Sequence, residues 1–231
     1  MMGNRVGVGD IEYPELLRGI ADPPQVLHYK GDISILNENK CVAVVGSRAT
    51  SSENLQAAEK FGMICAEEGY VVVNGLALGC DTYALKGALK ANGKCVVVLP
   101  SGIDSVYPKE NKDLADRILD SGGCIISEYP GEQEPQKYQF VRRDRLQSGL
   151  SRGVFVVTCG KTSGTLHTVD YALKQGRTVG CYAYEKCYEE GNLDIQRNGI
   201  AQVVRDEEEF AEFLRCLPGI DVYEQMTMKF E

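Results

Sequence analysis

Between residues 41 and 204 this chain alternates short runs of consecutive apolar residues with longer segments whose apolar residues recur every three to four positions. That alternation restricts the fold more than any other feature. A run such as Cys95-Val96-Val97-Val98-Leu99 has no polar face, so a strand made from it must be covered on both sides. The stripe Leu55, Ala58, Phe61, Gly62, Ile64 and Cys65 has helical period and supplies one such cover. Strands are expected at 41–46, 70–74, 94–99, 123–127, 154–158, 177–183 and 201–204. Helices are expected at 51–68, 78–91, 110–120, 140–150, 165–175 and 206–216, the first capped by Ser52. Strictly alternating elements of this kind give an α/β fold, a doubly wound and mostly parallel sheet with helices on both faces. Residues 1–40 read as an N-terminal leader packed on the domain. Residues 41–216 form the domain, and 217–231 a C-terminal tail.

At 231 residues the chain can bury a large core as one domain. Nothing in it approaches the roughly 20 apolar residues that cross a bilayer, and residues 1–10 lack the apolar stretch of a secretory signal, so no membrane association is expected. Of the nine cysteines, Cys41, Cys95, Cys124, Cys159 and Cys181 fall in or beside Val/Ile-rich runs, where a reduced thiol packs as a small hydrophobe. No pair has C-x-x-C spacing, and His28 and His167 are the only histidines. No metal site or cofactor is expected, and a reducing cytoplasm is the natural compartment. A net charge of −8 counts against a protein that coats nucleic acid over its whole surface, but leaves room for a local basic groove. The acid gathers late, at Asp206, Glu207, Glu208, Glu209, Glu212, Asp221, Glu224 and Glu231.

Ligands of doubly wound sheets bind beyond the carboxyl ends of the strands. The segments there are Gly46-Ser47-Arg48, 74–81, Pro100-Ser101-Gly102 and 160–165. Each is rich in Gly and Ser/Thr and leads into a helix, whose free N–H groups favour anions while glycine permits close approach. Arg48 and Lys161 add full charges. Together they describe a phosphate crevice, although strand-to-helix turns use glycine in any case. No G-x-G-x-x-G follows the first strand, and no P-loop motif occurs, so dinucleotide binding and NTP hydrolysis lack support. The densest basic segment is Phe140-Val141-Arg142-Arg143-Asp144-Arg145, continued by Arg152. On a helix Arg142 and Arg145 share a face, with Arg143 beside them. Cations next to an aromatic ring that can stack on a base suit single-stranded nucleic acid. The alternative is a solvated helix face partly neutralised by Asp144. His167 and Asp81 read as structural, Asp81 as a helix cap, and Glu128 has no partner visible in the sequence.

These segments resemble the DNA-processing protein A (DprA/Smf) family. The resemblance is carried by 13–17 and 20–31 in the leader, by Val44-Val45-Gly46-Ser47-Arg48, and by Asn74-Gly75-Leu76-Ala77-Leu78-Gly79-Cys80-Asp81. Residues 99–108, 140–151, Ser163-Gly164-Thr165-Leu166, Gly176-Arg177 and Gly191-Asn192-Leu193 continue it in order, so that it covers roughly 13–214. It implies an extended Rossmann-like fold, single-stranded DNA binding without an active site, homodimerisation, and delivery of DNA to a RecA-type recombinase during DNA uptake and natural transformation. It also implies DNA contacts at Ser47, Arg48, Phe140, Arg143, Arg145 and Lys161, with Gly46, Gly75 and Gly164 giving backbone approach. Leu78, Asp144 and Val141 depart from the family pattern, which has Arg, Asn and Pro there; the first two reduce positive charge near the groove. With no segment for the end modules of longer members, the chain reads as a minimal or divergent member.

The competing reading is a nucleotide-binding or nucleotide-sensing protein related to the lysine-decarboxylase-like/LOG group. In that group a P-G-G-x-G-T-x-x-E segment carries a glutamate that cleaves N-glycosidic bonds. Thr168 stands at that position here, which argues against hydrolysis but not against passive binding. A third reading is an interaction scaffold that uses the acidic tail.

Overall fold

The computed structural model describes residues 4–38, 40–183 and 189–219. Its centre is a parallel array of β3 (Lys40–Val45), β4 (Tyr70–Asn74), β5 (Cys95–Val98), β6 (Cys124–Ser127), β7 (Gly153–Val156), β8 (Thr178–Tyr182) and β9 (Gln202–Val204). The crossovers are α3 (Ser52–Glu67), α4 (Cys80–Lys90), α5 (Lys112–Asp120), α6 (Lys137–Gly149), α7 (Thr165–Lys174) and α8 (Glu190–Arg197). Helix α9 (Glu207–Arg215) follows the last strand. Every residue of β4, β5, β6 and β7 is buried, as their apolar runs require, including Asn74 and Ser127 at the carboxyl ends of β4 and β6. The doubly wound, mostly parallel sheet expected from the alternation is therefore present, with the Rossmann-like fold that the resemblance implies.

Two expectations need correction. The leader does more than pack on the domain: β1 (Asn4–Gly7) and β2 (Val26–Gly31) extend the sheet through antiparallel pairing of β2 with β6. The short helices α1 (Glu15–Arg18) and α2 (Ile35–Glu38) lie between these strands and β3. Leu27 and Val6 are buried while their neighbours alternate outward, a half-buried pattern that the leader's turn residues mask in the sequence. The cap of α3 is Ser51 rather than Ser52, its side chain accepting the Asn54 N–H. Helix α8 was not expected. Most of the tail, including Asp221, Glu224 and Glu231, lies outside the described residues.

The strand order is β1-β2-β6-β5-β4-β3-β7-β8-β9. From β3 the chain winds one way through β4, β5 and β6, then returns to β7 on the other side of β3 and winds outward again. The reversal falls between β3 and β7, and neighbouring loops diverge there to leave a crevice at the carboxyl ends. Three buried apolar clusters support it. One packs α3, α4, α5 and α9 on the central strands, a second packs the leader and α6 on the opposite face, and a third fills the space around β7, β8, α7 and α8.

Candidate functional site

A cavity of about 580 Å³ opens at this reversal. Its walls come from the end of β3 and the segment after it (Val45 to Ala49), the segment after β7 with the start of α7 (Gly160, Thr162 to Thr165, His167, Thr168), and one side of α6. A smaller annex, lined by Gly75, Leu78, Pro100, Tyr107 and Pro108, shares Arg48, Phe140, Ala77 and Arg143 with it.

Ser47 ties three of these loops together through its backbone. Its N–H donates to the Thr158 carbonyl at 2.8 Å, and its carbonyl accepts the Cys80 N–H at 3.1 Å. The loop after β4 is fixed from inside. Asn74 donates to the carbonyls of Val44 and Asp81 and accepts the Leu76 N–H, while the Asp81 carboxylate accepts the N–H groups of Gly75 at 3.0 Å and Ala77 at 3.4 Å. Asp81 thus tethers the preceding loop, a different role from capping its own helix. Leu76 is held at φ 59, in the left-handed region, and Gly79 at φ 81 packs so tightly that a Cβ would strike the carbonyls of Ser47 and Arg48. Burial raises the Asp81 carboxyl to about 6, with the Arg143 guanidinium pulling the other way. Burial also pushes the Cys80 thiol up to about 12, which leaves it unreactive.

Arg48 is exposed and lies 5.4 Å from the centroid of the half-buried Phe140 ring, which is itself braced edge-on by Tyr107. The backbone N–H groups of Arg48, Thr162 and Gly164 donate to no described residue, and Lys161 is exposed between Gly160 and Thr162. This rim offers cationic and N–H donors around an aromatic face.

Arg143 and Arg145 are placed differently from the expectation of a basic surface. Arg143 lines the cavity but is buried in its wall, donating to the Val98 carbonyl at 2.8 Å with its Nε 3.2 Å from Asp144 Oδ1. A Cβ at Gly75 would overlap its guanidinium, so that glycine makes room for an arginine. Arg145 does not reach the cavity. It pairs with the Glu128 carboxylate and donates to the Asp22 carbonyl at 2.7 Å, pinning the leader to α6. Arg142 shares that face, as helical spacing requires, and lies 3.6 Å from the same carboxylate. Glu128, unpartnered as far as the sequence shows, is the anchor of both. Gly46 makes room for Cys80 and the Thr158 carbonyl, whereas Gly164 faces open space. Sequence reasoning missed Gln147 and Glu189, the polar pair of the cavity wall that it did not single out; the helical phase of α6, with Phe140, Asp144 and Gln147 spaced four and three apart, was the signal for the first. Among the described residues no group of three His, Cys, Asp or Glu side chains is arranged to hold a metal ion, and no helix is long and apolar enough to cross a membrane.

The family profile of DNA recombination-mediator protein A matches residues 4–215. The DNA processing protein DprA of Bacillus subtilis is 38% identical over 176 residues, 76% of this chain and 59% of that protein. DprA of Streptococcus pneumoniae is 44% identical over 168 residues, 72% of this chain and 58% of its own length. The chain spans less than three fifths of the length of either. The X-ray structure of the S. pneumoniae protein superposes with a TM-score of 0.84 at 35% identity, covering 94% of this chain and 75% of that one. The DNA processing protein A of Helicobacter pylori, whose structure concerns a single-stranded DNA binding mode, gives a TM-score of 0.82 at 26% identity, covering 93% and 98%.

Proposed function

The chain belongs to the DNA recombination-mediator protein A family, and from that premise we propose that it binds single-stranded DNA along the crevice between β3 and β7. The observation that carries this reading is Arg48 set over the Phe140 ring beside backbone N–H groups that donate to no described residue. A cation and N–H donors hold phosphate, and an aromatic face stacks on a base that only a single strand leaves accessible. Ser47, Arg48, Phe140 and Lys161 are the proposed direct contacts, with Gly164 admitting the backbone. Arg143 acts from within the wall, held by the Val98 carbonyl, and Arg145 acts by fixing α6. In this reading the protein shelters incoming single strands in the cytoplasm, passes them to a RecA-type recombinase during transformation, works as a homodimer, and has no catalytic activity of its own.

A second reading, enclosure of a free nucleotide, is favoured by the size of the cavity, which falls within the range of small-molecule sites. Thr168, buried in its wall, offers no carboxylate for glycosidic cleavage. Fluorescence anisotropy with an oligothymidylate, a duplex of equal length and a panel of free nucleotides separates the two. Tightest binding of the oligothymidylate supports the DNA reading. Binding of a free nucleotide with indifference to the oligomer replaces it.

A further inference from the structure

One stripe of α6 runs down the cavity wall: Phe140 at the half-buried rim, then Asp144 and Gln147, both buried. The Asp144 carboxylate is held through one oxygen. Oδ1 accepts from Gln147 Nε2 at 2.8 Å and faces Arg143 Nε at 3.2 Å, while Oδ2 carries no hydrogen bond to any described residue. Since the carboxylate only accepts, Gln147 must turn its amide nitrogen toward it, and this fixes the orientation of both groups. A carboxylate in this place has the wrong sign for phosphate, which the rim already serves. It calls for a ligand part rich in N–H donors, reaching inward from a phosphate held at the rim.

Resting on the single-stranded DNA reading, we infer that Asp144 makes this crevice selective for guanine. Guanine alone among the four DNA bases presents two N–H donor groups side by side on its Watson–Crick edge, N1–H and the N2 amino group. A carboxylate takes both in a two-point contact, through Oδ2 and the remaining lone pair of Oδ1. Adenine and cytosine set a ring acceptor beside their single amino group, and that acceptor would oppose a carboxylate oxygen. Thymine flanks its one N–H with two carbonyls. In a single strand this edge is free to be read. Phe140, one helical turn from Asp144, is spaced to hold the base while its edge meets the carboxylate.

The test is anisotropy with three labelled oligomers: all thymine, thymine with isolated guanines, and the same strand with inosine replacing guanine. Inosine keeps N1–H and lacks the N2 amino group. The expected result is that the guanine strand binds about tenfold more tightly than either of the others, the scale of one good two-point base contact. Asp144→Asn, nearly isosteric, should erase that difference while thymine strands still bind. The guanine-to-inosine comparison on the unaltered protein needs no variant to fold. Equal affinity for all three strands overturns the inference and leaves the DNA reading standing. A guanine preference that survives in Asp144→Asn overturns the assignment to Asp144. Failure of every strand to bind at low salt overturns both.

Discussion

Single residues here are governed by partners that lie far away in sequence. Arg145 looks like a surface cation in its own segment, yet Glu128 and Asp22 draw it inside. Removing it would strand a half-buried carboxylate that burial already pushes toward protonation. Arg145→Ala should therefore cost about 3–5 kcal/mol in denaturant unfolding, as for a broken buried pair, and should leave the salt dependence of DNA binding unchanged. Unchanged stability with a reduced salt slope would return Arg145 to the proposed DNA contacts. Asp81 supports a prediction about pH. Its folded value of about 6 lies above the ordinary carboxyl value of 3.8. Between those values the native state keeps a proton that the unfolded chain has released, so stability falls as pH rises through that window. The effect is on the order of 2–3 kcal/mol. Asp81→Asn should flatten this part of the stability–pH curve, and an unaltered curve in the variant would refute the assignment. Arg48 and Phe140 could be placed at the crevice from sequence, because one follows a strand end and the other leads a basic run, and both line the cavity. The sequence hid the inward turn of Arg143 and Arg145, because burial is decided by carbonyls and carboxylates on other elements.

At the scale of elements, α3 and α4 approach so closely that glycine becomes a packing residue. A Cβ at Gly62 would collide with the Ala84 carbonyl, and one at Gly87 with the Glu59 carbonyl. Helical periodicity placed Gly62 on the buried face of α3, but nothing local shows that the neighbour is backbone. Helix α4 starts at Cys80, whose N–H is bonded to Ser47, so a shift of α4 would carry the loop after β4 and the floor of the crevice with it. Gly62→Ala should cost about 1–3 kcal/mol as overpacking and also weaken ligand binding through that displacement. A fully stable variant with unaltered binding would show that the helices can separate without moving the site. The central strands and most helices were legible because their patterns are long and periodic. Strands β1 and β2 were not, since their antiparallel edge pairing leaves only weak alternation between turn residues.

For the whole molecule, the topological reversal and the net charge act against each other. The reversal gathers Ser47, Arg48, Phe140 and the segment around Lys161 at one mouth, which the order of strand ends in the sequence already implied. The net charge of −8 repels a polyanion as a whole. Phosphate contacts release counterions, so affinity must fall with salt, yet salt also screens the repulsion from distant carboxylates. Close contacts outlast screening better than a diffuse field does. The two effects should be separable by substitution at the mouth. Arg48→Ala should weaken oligothymidylate binding and lower the salt slope by about one unit, because one phosphate-facing cation is lost. Phe140→Ala should cost roughly 1–3 kcal/mol of binding, the scale of one stacked base, and leave the slope unchanged because no charge is removed. Duplex DNA, whose base faces are hidden, should bind more weakly than the single strand to the unaltered protein and should be insensitive to Phe140→Ala. If both substitutions leave oligothymidylate binding and its salt slope as they were, the proposal that the crevice between β3 and β7 holds DNA fails.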